Sequence, residues 1–199
     1  LGYGHLGAYG QELILTPEID KMAKEGLLLT DYYSGTSVCA PARCSLMTGQ
    51  HVGNTYIRGN YEIKGTELNE QGQLPIPDET ITVAERLKEA GYVTACIGKW
   101  GLGYPHSEGD PLNQGFDHFY GYNCQRLAHK YYPNWLWRNH EKVPLGERDT
   151  PDGYSHYSLT DEGLDFIESN RRNPFFLYLS YAIPHSKIEI PKEDINYTQ

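Results

Sequence analysis

Three times along this chain, a segment with apolar residues at helical spacing is followed by a short run of strand-forming residues. The predicted helices are residues 16–26, 82–91 and 159–171, and the predicted strands are residues 27–30, 92–97 and 175–181. Helices that alternate with short apolar strands are typical of an α/β fold with a largely parallel sheet. We therefore predict an α/β domain whose sheet is largely parallel or mixed, with helices on both faces.

Local signals set the ends of these helices. The first begins at Pro17 and stops at Gly26, while Thr82 and Glu85 have capping-box spacing at the start of the second, which Gly91 ends. We expect apolar residues to face inward at these positions: Ile19, Met22 and Ala23 in the first helix, Leu87 and Ala90 in the second, and Leu164 and Ile167 in the third.

Composition excludes several classes of protein. The 199 residues include 17 Tyr, five Phe and three Trp, too many aromatic residues for a disordered chain. The best apolar run, residues 175–183, is well short of the roughly 20 residues of a membrane-spanning helix. The formal net charge is −9 and no basic stripe is present, which argues against nucleic acid as the main partner.

Four cysteines (Cys39, Cys44, Cys96 and Cys124) are too few for a disulfide framework in a chain of this length. The Cys39–Cys44 spacing is too wide for a zinc-binding pair. Cysteine usage therefore leaves the redox compartment open, and Cys44 and Cys96 are interpreted as core residues.

Ligands of parallel α/β sheets bind beyond the carboxyl ends of the strands. Residues 34–43, 98–103 and 184–185 follow the three predicted strands and are therefore candidate site segments. Two longer stretches rich in Gly, Pro and Tyr, residues 50–78 and 101–155, are predicted to be loops, and loops of that length are usually functional.

The first candidate segment leads into a helix. Pro41 suits the first position of a helix, which places Cys39 just before it, where free N–H groups stabilise negative charge. Arg43 in the first turn opposes the helix dipole, and an anion bound over the helix start would offset that cost. A buried structural cysteine and a solvated arginine fit the same residues, and this segment alone does not decide between the two.

Two motifs together resemble the type I, cysteine-type sulfatases. Cys39-x-Pro41-x-Arg43, followed by Leu-Met-Thr-Gly at 46–49, resembles the nucleophile motif of that family, and residues 91–103 resemble its second hallmark.

The resemblance extends over nearly the whole chain. Residues 1–7 are similar to the glycine-rich start of these enzymes, and residues 175–185 to the strand that delivers an active-site histidine. The resemblance implies an alkaline-phosphatase-like α/β fold. It also implies that residues 1–199 are an N-terminal portion of a sulfatase catalytic domain, truncated at both ends.

The resemblance implies a catalytic role for four residues. A maturation enzyme would convert Cys39 to formylglycine, whose hydrate is the nucleophile. Arg43 would hold the hydrate and the oxygens on the metal side, Lys99 would bind a sulfate oxygen, and His185 would help protonate the leaving oxygen. A bound Ca²⁺, with Mg²⁺ as an alternative, would take the residue derived from Cys39 as its only ligand within this chain.

The chain departs from the family at one motif position. Many members have a histidine after Lys99-Trp100 that assists the aldehyde hydrate, and here that position is Gly101. The sequence leaves open which residue takes over that role.

Substrate recognition is predicted from cations and amides near the motifs, namely His51, Arg58, Asn60, Arg126 and His129. The tract 125–138 mixes aromatic rings with cations, which suits a sulfated sugar, although the same rings also fit a role of covering core beneath long loops. The tract resembles bacterial sulfatases that act on glycans. It therefore favours a sulfated carbohydrate or an aryl sulfate as substrate, and a full-length protein that is periplasmic or secreted.

Two other functions stay open. One is a phosphatase or phosphonate hydrolase of the same superfamily, whose members more often carry Thr or Ser as nucleophile. The other is a catalytically inactive protein that binds sulfated glycans, which Gly101 would allow. The cysteine motif favours the sulfatase.

Overall fold

The computed structural model describes residues 2–63, 72–185 and 187–195. The chain divides into two units, one formed by residues 1–33 with 193–199 and the other by residues 34–192.

The first unit is built around helix α1 (Pro17–Glu25), which confirms the first predicted helix. The Asp20 carboxylate accepts hydrogen bonds from the backbone N–H of Ala8 at 2.7 Å and from the Thr16 hydroxyl at 3.0 Å. These bonds tie α1 to the short 3-10 turns Tyr3–His5 and Gly7–Tyr9 that precede it.

Two predictions for this first unit are wrong. Ile19 and Ala23 are half-buried, but Met22, expected on the same inward face, is exposed. Residues 27–30 form no strand, and their leucines are exposed. A strand requires a hydrogen-bonded neighbour, and no strand within the described ranges pairs with this segment.

The second unit contains a five-stranded mixed sheet and a separate two-stranded ribbon. The strands are β1 (Glu62–Ile63), β2 (Gly72–Gln73), β3 (Val93–Lys99), β4 (His118–Tyr122), β5 (Trp135–Arg138), β6 (Glu141–Pro144) and β7 (Phe175–Ser180). The large sheet has the order β6-β5-β4-β3-β7, in which β4, β3 and β7 are parallel, while β5 and β6 add antiparallel strands at one side. The α/β mixed-sheet prediction is confirmed.

Helices cover both faces of this sheet. Alternate residues of β3 point to opposite sides, so Cys96 packs with helices α2 (Cys39–Thr48) and α3 (Val83–Glu89). Ala95 and Ile97 pack with helix α4 (Ser155–Asn170) on the other side. The capping box predicted at Thr82 is present.

The inward face predicted for the third helix is wrong. Leu164 and Ile167 are exposed, whereas Leu159, Gly163 and Phe166 are buried. The buried residues are spaced four and three apart, as one helix face requires. The face was misassigned because its central position is a glycine, which lies against β7, while large apolar residues stand on the solvent side.

Three strands lie where a loop was predicted, within residues 101–155. Strand β4 has the sequence His-Phe-Tyr-Gly-Tyr, and its glycine weakened the strand pattern. Gly121 is required there because a Cβ at that position would lie 1.9 Å from the carbonyl oxygen of Gly98 on β3. Strand β7 is half-buried rather than fully buried, since it is an edge strand of the described sheet.

The half-buried carboxylate of Glu162 links α4 to strands β4 and β5. It gives a prediction about stability in acid. Glu162 accepts hydrogen bonds from His118 at 2.8 Å and from Arg138. Burial alone would raise the pKa of Glu162, but these partners outweigh it and hold the pKa below its usual range. The folded state therefore releases this proton more readily than the unfolded state, so the stabilisation is present above the pKa of an unfolded glutamate and is lost as the pH falls further.

We expect Glu162→Gln to reduce the loss of stability on acidification below about pH 5, because the titrating group is gone. Urea unfolding at a series of pH values measures this slope. Glu168→Gln, on the same helix but exposed, is the matched control. An unchanged slope in Glu162→Gln would contradict the assignment.

Candidate active site

Cys39 is the first residue of α2, so the helix begins two residues before Pro41, where the sequence predicted its start. It is half-buried and forms no disulfide. Val38 at the helix start offers no capping side chain, but the side-chain oxygen of Asn60 accepts a hydrogen bond from the backbone N–H of Ala40 at 2.8 Å. The Cys39 sulfur therefore lies at a helix N-terminus, where the dipole favours negative charge.

Lys99 is the last residue of β3, and its side chain lies within hydrogen-bonding distance of Cys39. Only 3% of Lys99 is exposed. Burial is the main cause that lowers the pKa of Lys99, the Arg43 guanidinium lowers it further, and Cys39 opposes the shift. An anion that enters the site would stabilise the charged form of Lys99.

Arg43 links α2 to the carboxyl ends of two strands. Its Nη1 donates to the carbonyl oxygen of Lys99, to the Tyr178 hydroxyl at 3.0 Å and to the Ser180 hydroxyl. Ser180 in turn donates to the same Lys99 carbonyl at 2.9 Å. The Nε of Arg43 is buried and has no hydrogen-bond partner within the described residues, so it remains a donor for a ligand.

Two histidines stack beside Lys99. The rings of His129 and His185 have centroids 4.2 Å apart, and the backbone N–H of His185 donates to the Tyr131 hydroxyl at 2.8 Å. Burial lowers the pKa of both histidines, and the charge of Lys99 lowers it further in each. The structure thus brings together Cys39, Lys99 and His185, which the sequence placed after three different elements.

The profile of the Sulfatase family matches residues 1–199. The chain belongs to the sulfatase family.

Named relatives agree with this membership. The human N-acetylgalactosamine-6-sulfatase is 32% identical over 212 residues, which cover all of this chain and 40% of that protein. An arylsulfatase of Hemicentrotus pulcherrimus is 34% identical, with 94% of this chain and 36% of that protein covered. The chain therefore spans well under half the length of these relatives.

Solved structures of sulfatases show the same fold. The crystal structure of Ps i-CgsB is 27% identical with a TM-score of 0.83, and the match covers all of this chain and 46% of that one. A structure of BT4656 in complex with its substrate D-glucosamine-2-N,6-O-disulfate is 27% identical with a TM-score of 0.67, covering 92% of this chain and 32% of that one.

The remaining predicted binding residues of this sulfatase lie in different places. Arg126 forms an ion pair with Glu62 at 3.0 Å, and the Glu62 carboxylate opposes the lowering of the His129 pKa by burial, so these residues border the histidine pair. His51 is exposed and its Nδ1 accepts from the backbone N–H of Gly53 at 3.1 Å. Arg58 lines a separate cavity with residues 46–50 at the opposite end of α2 from Cys39.

Sequence reasoning missed Tyr178 and Ser180 as partners of Arg43. Ser180 ends a predicted strand, and the rule that ligands gather at carboxyl ends of strands is the signal that would have found it. Tyr178 carries no comparable signal, because its position looks like an ordinary core residue of β7.

The described residues do not by themselves form a calcium site. Within the described ranges, no group of three or more His, Cys, Asp or Glu side chains could hold a metal ion. The charged groups around Cys39 are the cations Lys99 and Arg43, which do not ligate Ca²⁺.

The contact of Asn60 with the start of α2 gives a stability prediction for this sulfatase. We expect Asn60→Ala to lower the free energy of unfolding by about 1 kcal/mol, because Ala40 loses its acceptor. Asn60→Asp keeps an acceptor and should retain most of the stability. Thermal unfolding of the two variants measures the difference, and equal losses in both would contradict a capping role.

Proposed function

We propose that the full-length protein hydrolyses sulfate esters and releases inorganic sulfate, with Cys39 converted to formylglycine. The observation that carries this proposal is the buried ammonium of Lys99 within hydrogen-bonding distance of Cys39 at the start of α2. The sulfur of the unmodified cysteine stands here for the oxygens of the formylglycine hydrate. Family membership over the whole chain supports the same reaction.

Formylglycine supplies a hydrated aldehyde whose hydroxyl attacks sulfur and whose second hydroxyl allows release of sulfate. Other residues of this chain bind the sulfate group and position the site. Lys99 binds a sulfate oxygen and offsets the charge that develops on it. Arg43 holds the carboxyl ends of β3 and β7 against α2 and offers its buried Nε to the bound group.

His185 protonates the ester oxygen as the alcohol leaves. Burial and the charge of Lys99 lower the pKa of His185, which makes its protonated form a stronger proton donor. His129 stacks on the His185 ring and holds its plane. The two rings are therefore assigned to the leaving-group side of the site.

A sulfated carbohydrate is the proposed substrate class, with an aryl sulfate as the simpler alternative. Arg126 and His129 are the predicted binding residues that border the site. A neighbouring cavity beside β4 combines aromatic rings with cations, and it is lined by Lys130, Tyr132, Trp135, Trp137 and Arg148. Rings that stack on sugars and cations that attract sulfate suit such a ligand. The relatives named for N-acetylgalactosamine-6-sulfate and bound to a glucosamine disulfate support this class.

The cellular requirements are also proposals. None of the helices formed by the described residues is long and apolar enough to cross a bilayer. We propose that a formylglycine-generating enzyme matures the protein, and that the full-length protein is periplasmic or secreted. A Ca²⁺ ion, or Mg²⁺ in its place, remains predicted, with ligands other than residue 39 outside this chain.

The test compares turnover of an aryl sulfate and the matching aryl phosphate by the full-length enzyme made with its maturation partner. Mass spectrometry of the peptide across Cys39 establishes formylglycine before the rates are measured. A faster sulfate reaction supports the proposal. A faster phosphate reaction would favour a phosphatase, and binding of sulfated sugar without turnover would favour an inactive binder.

A further inference from the structure

The turn that follows Lys99 is closed by a side chain from another strand end. Gly101 lies in this turn with a φ of +79°, a conformation that favours glycine. A Cβ at position 101 would lie 1.6 Å from the Nε2 of Gln125, which follows β4. The Gln125 amide therefore occupies the space that any side chain at position 101 would need.

Gln125 is held in this place by buried hydrogen bonds. Its Nε2 donates to the carbonyl oxygen of Gly101 at 3.3 Å, and its backbone N–H donates to the side-chain oxygen of Gln73 at 3.0 Å. Gln73 donates in turn to the carbonyl oxygen of Tyr61. Gln73 is fully buried and only 2% of Gln125 is exposed. These contacts fix the Gln125 backbone and the nitrogen of its amide.

Each end of this series of hydrogen bonds is close in sequence to a residue that interacts with Cys39 or with Ala40 next to it. At one end the Gly101 turn follows Lys99, which contacts Cys39. At the other end Tyr61 follows Asn60, which binds the start of α2. Gln125 is therefore part of a series of hydrogen bonds and adjacent backbone segments that connects the turn after Lys99 with the start of α2.

The carbonyl oxygen of the Gln125 side chain is also buried without a hydrogen-bond partner in the described part of the chain. An enclosed unpaired acceptor destabilises a fold, so the position of the Gln125 amide is not explained by its own hydrogen bonds alone. The backbone N–H of Trp100, the residue after Lys99, donates to the carbonyl oxygen of Tyr122 at 2.9 Å, so the segment that leads from β4 to Gln125 begins beside this turn. The amide is thus beside the site rather than in a remote part of the core.

We propose that Gln125 is a positioning residue for sulfate hydrolysis, whose amide fills the space beside Gly101 and so holds Lys99 against residue 39. The inference rests on the proposed function, because Lys99 acts on sulfate there. It also explains why position 101 is a glycine, because a larger residue there would clash with the amide of Gln125.

The chain offers a matched control. Gln114 is also fully buried with an unpaired side-chain oxygen, but it precedes β4, and its Nε2 donates to the carbonyl oxygen of Glu108 rather than to that of Gly101. Gln125→Met and Gln114→Met keep side-chain length and remove the amide. Both should therefore change stability alike, and only one should change turnover.

The experiment measures kcat, KM and thermal unfolding of the full-length formylglycine enzyme on an aryl sulfate. We expect Gln125→Met to lower kcat about 10- to 100-fold, as small misplacements of a catalytic group do, with Gln114→Met near wild type. A double-mutant cycle with Lys99→Met separates positioning from general stability. In the Lys99→Met background, Gln125→Met should cause no further loss, since the group that it positions is gone.

Two results would overturn the proposal. One is a kcat for Gln125→Met equal to that of Gln114→Met, and the other is the same fold-loss in both Lys99 backgrounds. If wild-type enzyme with verified formylglycine turns over no sulfate ester, the proposed function fails instead. Calorimetric binding of inorganic sulfate then decides on Gln125: weaker binding by Gln125→Met than by Gln114→Met supports its role, and equal binding refutes it.

Discussion

Replacing Cys39 with alanine is expected to abolish sulfate-ester hydrolysis by the full-length enzyme, with kcat lower by at least about 10⁴-fold. Alanine leaves the helix start intact, because the α2 backbone and the Asn60 contact with Ala40 do not involve the thiol. Lys99 and Arg43 also keep their positions, so binding of sulfate should persist while turnover stops. Steady-state kinetics on an aryl sulfate and calorimetry with inorganic sulfate measure the two properties separately.

A serine at the same position makes the prediction more specific. In Cys39→Ser, the serine oxygen can bond to sulfur as the sulfur–oxygen bond to the alcohol breaks, and the hydroxyl proton leaves with the alcohol. Serine has no second hydroxyl with which to expel sulfate, so we expect one equivalent of alcohol per enzyme and then no more. Mass spectrometry should find one added SO₃ group on the peptide that carries residue 39.

Cys44→Ala is the matched control for both variants. Cys44 lies on the same helix, is fully buried and packs in the core, and burial raises the pKa of its thiol. Its replacement should cost about 1 kcal/mol of stability and leave kcat near wild type. Substantial residual turnover in Cys39→Ala, or continuous turnover in Cys39→Ser, would refute the role of residue 39 as nucleophile.

That the site residues lie close together was predictable, because they are near the carboxyl ends of neighbouring strands. The sequence placed Cys39, Lys99 and His185 after separate elements of a parallel sheet, and such segments meet at one edge. Lys99 ends β3 and His185 follows β7, which is parallel to β3, whereas the segment before Cys39 forms no strand. The position of Cys39 therefore depends on α2 and its contacts with the sheet through Arg43.

Features that depend on close contacts between segments distant in the sequence were not predictable. The sequence indicates only that Gly101 stands where many family members have a histidine. Nothing in its sequence neighbours indicates that the amide of Gln125, 24 residues later, occupies the position of a side chain at 101. Gly121 made β4 look like part of a loop, although its small size is what lets β4 approach β3. The face of α4 was misassigned for a similar reason, since Gly163 rather than Leu164 meets the sheet. Close contact requires the glycine at positions 101 and 121, whereas a Cβ at position 163 would lie 3.5 Å from Leu179, an ordinary contact; hydrophobic periodicity detects none of the three.

Lys99→Met is expected to lower kcat by about 10²- to 10³-fold while leaving stability unchanged or raised. Methionine keeps the length and apolar stem of the side chain and removes the charge that offsets the developing negative charge on sulfate. Burial and Arg43 lower the pKa of Lys99, which means that the folded protein without substrate disfavours this charge. Removing the charge therefore relieves a cost of folding at the same time as it removes catalysis.

A lower kcat together with unchanged or higher stability is the result that distinguishes a catalytic role of Lys99 from a structural one. Kinetics on an aryl sulfate and thermal unfolding of the same preparations measure it, with Lys88→Met as the control. Lys88 is a surface lysine that pairs with Asp117 at 2.8 Å, and its side chain is 47% exposed, so its loss should leave kcat unchanged. A Lys99→Met enzyme that loses stability and activity together would mean that the ammonium serves the fold. One that keeps full turnover would show that the positive charge beside residue 39 takes no part in the reaction.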